Sequence, residues 1–321
     1  MNPHDTDRRG ADIPLAQPLE GVALLDTRHM GYQGTVGAYL VPGPGGSFAL
    51  IESGPGSTLG TLEAAVREAG FEPDGLSSVL VTHIHLDHAG AAGTLARRYN
   101  AEVYVHENGA PHLLDPGRLM KSAARIYGDM MDMLWGEMES VPQGLLRVVR
   151  DMDTFQAAGK RFDVRHTPGH ASHHVAYLMD GSAMFTGDAA AIKLPGSEVV
   201  RPALPPPEVD LETWEDSLQV IRQAGPERLL LTHFGEVRDV DAHLNEVSEK
   251  NAAWAEEVLT GLQQGETDAA LESRLARLAA DELAAENAPK NVVERHRVTS
   301  NDAMTVMGLK RYWQKKHPEW L

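Results

Sequence analysis

The chain has 321 residues, no cysteine, and 29 basic against 46 acidic side chains, a net charge of −17. That length leaves room for one large or two smaller domains around a buried core, and 42% hydrophobic with 23% charged residues is globular rather than disordered composition. Without cysteine there is neither a disulfide framework nor a thiolate nucleophile, so any metal must be held by His, Asp or Glu. The acidic balance argues against nucleic acid or anionic lipid as a partner, and no apolar run reaches the about 18 residues that cross a membrane.

Residues 1–18 read as a flexible polar leader of a cytoplasmic protein, because Arg8-Arg9 is followed by no apolar stretch before Pro14 and Pro18. Short apolar runs at 21–26 (GVALLD), 37–41 (GAYLV) and 48–51 (FALI) predict strands joined by Gly- and Pro-rich turns. Residues 58–69 place Leu59, Leu62, Ala65, Val66 and Ala69 on one helical face, closed by Gly70. A strand follows at 77–81 (SSVLV), a helix at 91–99 and a strand at 102–105. From 108 to 144 the pattern changes to a Met-rich helical insert carrying Met120, Met130, Met131, Met133, Leu134, Trp135 and Met138. Strand character returns at 145–149, 162–165, 175–178 and 183–185. A proline connector at 202–207, a helix at 211–224 and a strand at 228–231 (RLLL) come next. Beyond His233 the chain reads as almost wholly helical. The expected layout is a leader over 1–18, a catalytic body over 19–240 with the insert at 108–144, and a helical region over 241–321.

His83, His85, Asp87 and His88 put four metal-ligating side chains into six residues, directly after the strand at 77–81. In an extended chain His83, His85 and Asp87 point to one side, and the chain must turn for His88 to join them. One ion cannot easily use all four; two neighbouring ions can, with His83 and His85 on one and Asp87 and His88 on the other. Three more such residues, His170, Asp188 and His233, each follow a predicted strand, where rigid scaffolds present reactive groups. Five His and two Asp suit two divalent ions, with Asp188 able to bridge them. A lone strand-end histidine is ordinarily a surface or hydrogen-bonded residue. The density at 83–88 is what turns the reading toward metal, since burying those groups for structure alone is costly. His174 reads as a supporting or packing residue behind the ligands.

THIHLDHAG at 82–90 resembles the HxHxDH signature of the metallo-β-lactamase superfamily, and TPGH at His170, TGD at Asp188 and TH at His233 match its later motifs in order. The resemblance covers about residues 20–240. It implies an α+β fold, a four-layer αββα sandwich with the metal site at one edge, here extended by the helical insert and the helical C-terminal region. It assigns His83, His85 and His170 to a first ion, Asp87, His88 and His233 to a second, and Asp188 to the bridge. Ser53-Gly54 falls at the family's early LIDTG-like turn, with Glu52 where Asp is usual.

The implied chemistry is metal-dependent hydrolysis. Two divalent ions, zinc foremost with iron or manganese as alternatives, acidify a bridging water that attacks an ester-like or thioester carbonyl, with Asp87 orienting it. The resemblance is strongest to glyoxalase II-like thioester hydrolases. Alternatives of the same fold are a mononuclear-iron persulfide dioxygenase, a lactonase and a phosphodiesterase. The expected partner is a small molecule, not nucleic acid or membrane. The insert reads either as packing or a homodimer contact, which is favoured, or as a lid placing Tyr127 and Trp135 over the metals. The terminal basic pair Lys310 and Arg311 reads as a solvated face, and Trp254, Val258, Leu259 and Leu262 as helical core.

Overall fold

The computed structural model describes residues 19–320; the leader expected over 1–18 lies outside the described residues. Strands β1 (Ala23–Asp26), β2 (Gly37–Pro42), β3 (Phe48–Ile51), β4 (Leu76–Leu80), β5 (Glu102–His106) and β6 (Leu146–Val149) form one sheet in that order. The first three are antiparallel and the rest parallel. Parallel neighbours need crossovers. Helix α1 (Leu59–Glu68) supplies one, and the single turn α2 (Leu86–Ala89) followed by α3 (Ala92–Tyr99) supplies the next. Alternation along the strands sorts the core. Leu40, Leu50, Val79 and Val103 pack with Leu62 and Val66 of α1 and Leu95 of α3, while Tyr39, Val41, Ile51 and Leu80 face the other way.

The last crossover of that sheet is the insert, which forms three short helices, α4 (Ala110–Leu114), α5 (Gly117–Tyr127) and α6 (Met131–Leu134). It is not one helical segment: Pro116 and Gly128 interrupt it, and the buried Met138 lies outside any helix. Its far end lies against the body. Ser57 Oγ donates to the Leu134 carbonyl at 2.8 Å and Arg97 Nε to the Ser140 carbonyl at 3.0 Å. A Cβ on Gly93 would stand 1.9 Å from the Glu139 carbonyl oxygen, so this approach requires glycine. Packing, one of the two readings favoured for this segment, is what the inner face does.

The second sheet runs β7 (Thr154–Ala157), β8 (Lys160–His166), β9 (Val175–Met179), β10 (Ala183–Phe185), β11 (Arg228–Leu231) and β12 (Gly235–Val237). Only β10 and β11 pair in parallel, and α7 (Leu211–Gln223) joins them. Strands β7 and β12 were not expected. Both are edge strands of three or four residues, and an edge strand can be short and polar because one side faces no partner. Phe162, Val164, Tyr177 and Phe185 close the central layer against the first sheet.

Helices α8 (Val240–Gln263), α9 (Asp268–Ala285), α10 (Lys290–Thr299) and α11 (Asp302–Lys316) complete the chain. Their buried residues Trp254, Val258, Leu259, Leu271, Leu309 and Trp313 form a core continuous with that of the second sheet and α7. The architecture is therefore an αββα sandwich in four layers, extended at the C-terminus by helices. No helix of the described residues is long and apolar enough to cross a membrane.

Candidate metal centre

The two sheets are stitched together at one edge. Val175 N donates to the Thr82 carbonyl at 2.8 Å, Gly37 N to the Thr232 carbonyl at 2.8 Å, and the buried hydroxyls of Tyr39 and Tyr177 donate to the Leu231 and Val81 carbonyls at 2.7 and 3.0 Å. These bonds tie the end of β4 to β9 and the end of β11 to β2. The chain leaves the first sheet after Leu80 and does not stay extended to Asp87. The turn expected at His88 begins earlier, because Leu86–Ala89 already closes a helical turn. His83 and His85 therefore come from the connecting loop, and Asp87 and His88 from α2.

All seven residues singled out in the sequence converge here. Ligand atoms of His83, His85 and His170 lie within 4.8 Å of one another, as do those of Asp87, His88 and His233, and those of His83, His88 and Asp188. Asp188 stands between the first two sets. Its Oδ2 is 3.4 Å from His170 Nε2, while its Oδ1 is 3.2 Å from His88 Nε2 and 3.4 Å from His233 Nε2. Asp188 sits in a tight turn after β10. There Gly187 has φ +48, and a Cβ on it would meet Thr82 Oγ1 at 2.4 Å and His174 Nε2 at 2.6 Å.

The outer nitrogens decide which inner nitrogens carry lone pairs. Carbonyl and carboxylate oxygens only accept, so His170 Nδ1 donates to the Ala203 carbonyl at 2.8 Å, His233 Nδ1 to the Thr35 carbonyl at 2.7 Å and His88 Nδ1 to Glu52 at 3.0 Å. The Thr82 hydroxyl gives its hydrogen to Glu52 and so accepts from His83 Nδ1 at 3.0 Å. Each of these four imidazoles thus has a second proton site, Nε2, directed at the centre. His83 Nε2 and His170 Nε2 approach His85 Nδ1 at 3.0 and 2.9 Å, and His88 Nε2 and Asp188 Oδ1 lie buried 3.2 Å apart without hydrogen-bond geometry between them or to any other group. Converging lone pairs and orphaned acceptors are what a cation satisfies, so the donor set fits divalent metal.

Glu52 is the orienting group whose importance the sequence understated. It is fully buried and accepts from Thr82 N, Thr82 Oγ1, His88 Nδ1 and Thr232 Oγ1. It therefore touches the supports of both ligand sets despite standing where Asp is usual. His174 behaves as expected of a supporting residue: its Nδ1 meets Thr167 Oγ1 at 2.8 Å, and its Nε2 accepts from the Asp188 amide at 3.2 Å. Trp214 donates to the Ala189 carbonyl at 2.8 Å and lies edge-on to His170. Lys310 pairs with Asp268 and Arg311 donates to the Pro207 carbonyl, in keeping with a solvated face.

Charge divides the two sets. Burial pushes His83 and His170 below the ordinary imidazole range and His85 down to about 3. Burial acts on His88 and His233 too, but the carboxylates outweigh it: Asp188, Asp87 and Glu52 hold His88 well up, and Asp188 and Asp87 raise His233. Burial likewise opposes charge on Asp87 and Asp188, and the neighbouring imidazoles prevail, holding both carboxyls low.

The sequence profile described as metallo-beta-lactamase superfamily matches residues 31–233, and the chain belongs to that superfamily. A metallo-beta-lactamase fold-containing protein of Sulfurisphaera tokodaii is 31% identical over 182 residues, covering 55% of this chain and 68% of its own. The crystal structure of a metallo-beta-lactamase family protein from Thermus thermophilus superposes with TM-score 0.68 at 24% identity, over 93% of this chain and 94% of its own. Two more distant relatives have named activities. An atrochrysone carboxyl ACP thioesterase of Aspergillus fumigatus is 28% identical over 74% of this chain and 46% of its own length, and a hydroxyacylglutathione hydrolase of Chromohalobacter salexigens is 30% identical over 37% and 36%. The chain thus spans less than half the length of either. Membership places the chain in a superfamily whose fold implies divalent-metal binding and whose members are mostly hydrolases, and the His and Asp clusters are its candidate ligands.

Proposed function

We propose that the chain is a binuclear metallohydrolase that cleaves a thioester, or a related ester carbonyl, of a small-molecule substrate in the cytoplasm. The observation that carries this reading is the pair of three-ligand sets sharing Asp188, with histidine protons anchored on outward acceptors. The thioesterase and the hydroxyacylglutathione hydrolase among the relatives support a thioester as the bond broken. An imidazole-rich set without thiolate favours zinc, and iron or manganese fits the same donors.

Two divalent ions, when bound, supply an acidified water and positive charge for a carbonyl oxygen. The chain's residues do the positioning. His83, His85 and His170 would hold one ion, Asp87, His88 and His233 the other, and Asp188 directs one oxygen to each set. Asp87 is the acidic ligand with a side chain 23% exposed, and it accepts a hydrogen bond from an incoming water, turning a lone pair of that water toward the substrate. Glu52 and Thr82 stop the His83 and His88 rings from rotating. Self-association through the outer face of the insert, where Met130 and Met133 are exposed, belongs to the same proposal, and sedimentation reads it as a dimer or monomer mass.

Metal analysis with a thioester panel tests the reaction. The expected result is about two ions per chain, with hydrolysis abolished in Asp87→Ala. One iron per chain with oxygen uptake on glutathione persulfide would overturn it in favour of a dioxygenase, and a chain that binds no metal would overturn both.

A further inference from the structure

The turn that carries Asp188 has no long side chains with which to fix itself. Ala189, Ala190 and Ala191 follow the carboxylate, and all three are buried. Ala191 stands at φ 60° and ψ −163°, a conformation ordinarily left to glycine that persists only where neighbours hold it. The holding is done at consecutive carbonyls. The Asp188 carbonyl accepts from Ala191 N at 2.9 Å, the Ala189 carbonyl from Trp214 Nε1 at 2.8 Å, and the Ala190 carbonyl from His243 Nε2 at 2.8 Å. His243 belongs to α8, so the first of the C-terminal helices reaches the turn directly. It is buried, and because a carbonyl only accepts, its Nε2 carries the proton.

From there the chain runs on as a strap that touches both ligand sets. Ile192 and Arg201 exchange backbone hydrogen bonds at 3.0 and 2.8 Å and close residues 192–201 into a loop. On the way in, Lys193 N donates to the His233 carbonyl at 2.6 Å. On the way out, the Ala203 carbonyl takes the His170 Nδ1 proton. One segment therefore holds the bridging residue and meets one ligand of each set. Further ties join it to the C-terminal helices. The Arg201 guanidinium lies 4.8 Å over the Trp254 ring of α8, and Arg295 of α10 donates to the Pro195 carbonyl at 2.7 Å. Glu286, at the end of α9, accepts from Ser197 Oγ and, at 3.0 Å, from Glu198 N. A segment tied in this way passes the placement of the helices on to the ligands, as groups behind a metal ligand do.

We infer that residues 188–203 form a strap that sets the placement of the two ligand sets, and that His243 is the positioning residue through which the C-terminal helices hold it. This rests on the binuclear reading for the number of ions, though not for the role of the strap. The test uses the full chain. Zinc affinity is measured against a competing chelator, the visible spectrum is taken on the cobalt(II)-loaded protein, and melting of the metal-free form reports the fold. His243→Leu keeps bulk, removes the donor and lowers zinc affinity by about tenfold, with a shifted cobalt spectrum. His243→Gln restores an N–H near the same place and recovers affinity to within about threefold of the wild type. Trp313→Phe is the control, because it removes a buried ring donor of the same kind, bonded to the Ala255 carbonyl at 3.0 Å between α11 and α8, with no part in the strap. It lowers the melting temperature, as His243→Leu does, and leaves zinc affinity and cobalt spectrum as in the wild type. Glu286→Ala frees the strap at Ser197 and Glu198, lowers zinc affinity by about threefold, and stands in should His243→Leu fail to fold. Metal readouts in His243→Leu and Glu286→Ala that match Trp313→Phe, or no recovery in His243→Gln, would overturn the inference and leave the binuclear reading standing. One ion in the wild type instead of two ends the binuclear reading, and the same comparison on that ion still decides the strap. A wild type that binds no ion overturns both.

Discussion

The two ligand sets are built alike and charged differently. Each takes two side chains from the stretch 83–88 and one from a strand end of the second sheet, His170 or His233. The first set is all imidazole, and burial keeps its three rings neutral. The second contains Asp87 and lies against Asp188 and Glu52, so its two imidazoles hold a proton more tightly than an ordinary histidine does. Positive charge is required beside those carboxylates, and either protons or a metal ion provides it. An ion therefore meets weaker proton competition at the first set than at the second.

Removing Asp188 breaks the comparison outright, because both sets lose a ligand at once. Asp188→Ala lowers kcat/KM by on the order of a thousandfold and leaves at most one ion per chain, read by steady-state kinetics and metal analysis. Acidification separates the sets. An ion must displace protons from His88 and His233, and their raised pKa values mean that those protons are held further into the neutral range. Affinity of the second set therefore falls as pH falls, by up to about a hundredfold per pH unit while two protons compete. The first set, with His85 near 3, keeps its ion to lower pH. Dialysis across a pH series should step from two ions to one before zero, and simultaneous loss would contradict the distinction.

Glu52→Gln sharpens it further. The amide keeps the volume but puts a donor against Thr82 or His88, both of which donate to Glu52. Metal affinity drops about ten- to a hundredfold, more in the second set because His88 is touched directly, while kcat at saturating zinc changes far less. Lys310→Ala is the smallest change. Its partner Asp268 is exposed and both lie apart from either set, so kcat/KM on a glutathione thioester moves by less than about twofold. A larger loss would make Lys310 an anion-binding residue and revive the solvated basic pair as function.

Much of this was legible in the sequence, for identifiable reasons. His83, His85, Asp87 and His88 stand out because four ligating side chains in six residues have no economical structural use. His170, Asp188 and His233 were found through motif order and their places after apolar strands; singly, each looks like any strand-end polar residue. Strands β3, β10 and β11 fall where their buried runs lie, because their side chains face core on both sides. Strands β7 and β12 did not announce themselves, since edge position relieves them of that burial. The insert's helical composition is visible in the sequence, while Pro116 and Gly128 divide it into separate helices. His243 carried no signal at all, being one histidine in a helix.

The residues and their order along the chain thus determined the family, the sandwich and the identity of the metal-ligand candidates, because hydrophobic alternation and ligand spacing are properties of short segments. Which imidazole nitrogen faces the centre, how Glu52 reaches both sets, why one set sheds protons more easily than the other, and how His243 comes to hold the turn after Asp188 were decided by tertiary structure. Those properties depend on distances of a few ångströms between groups far apart in sequence, and on burial that removes the water which would otherwise screen their charges.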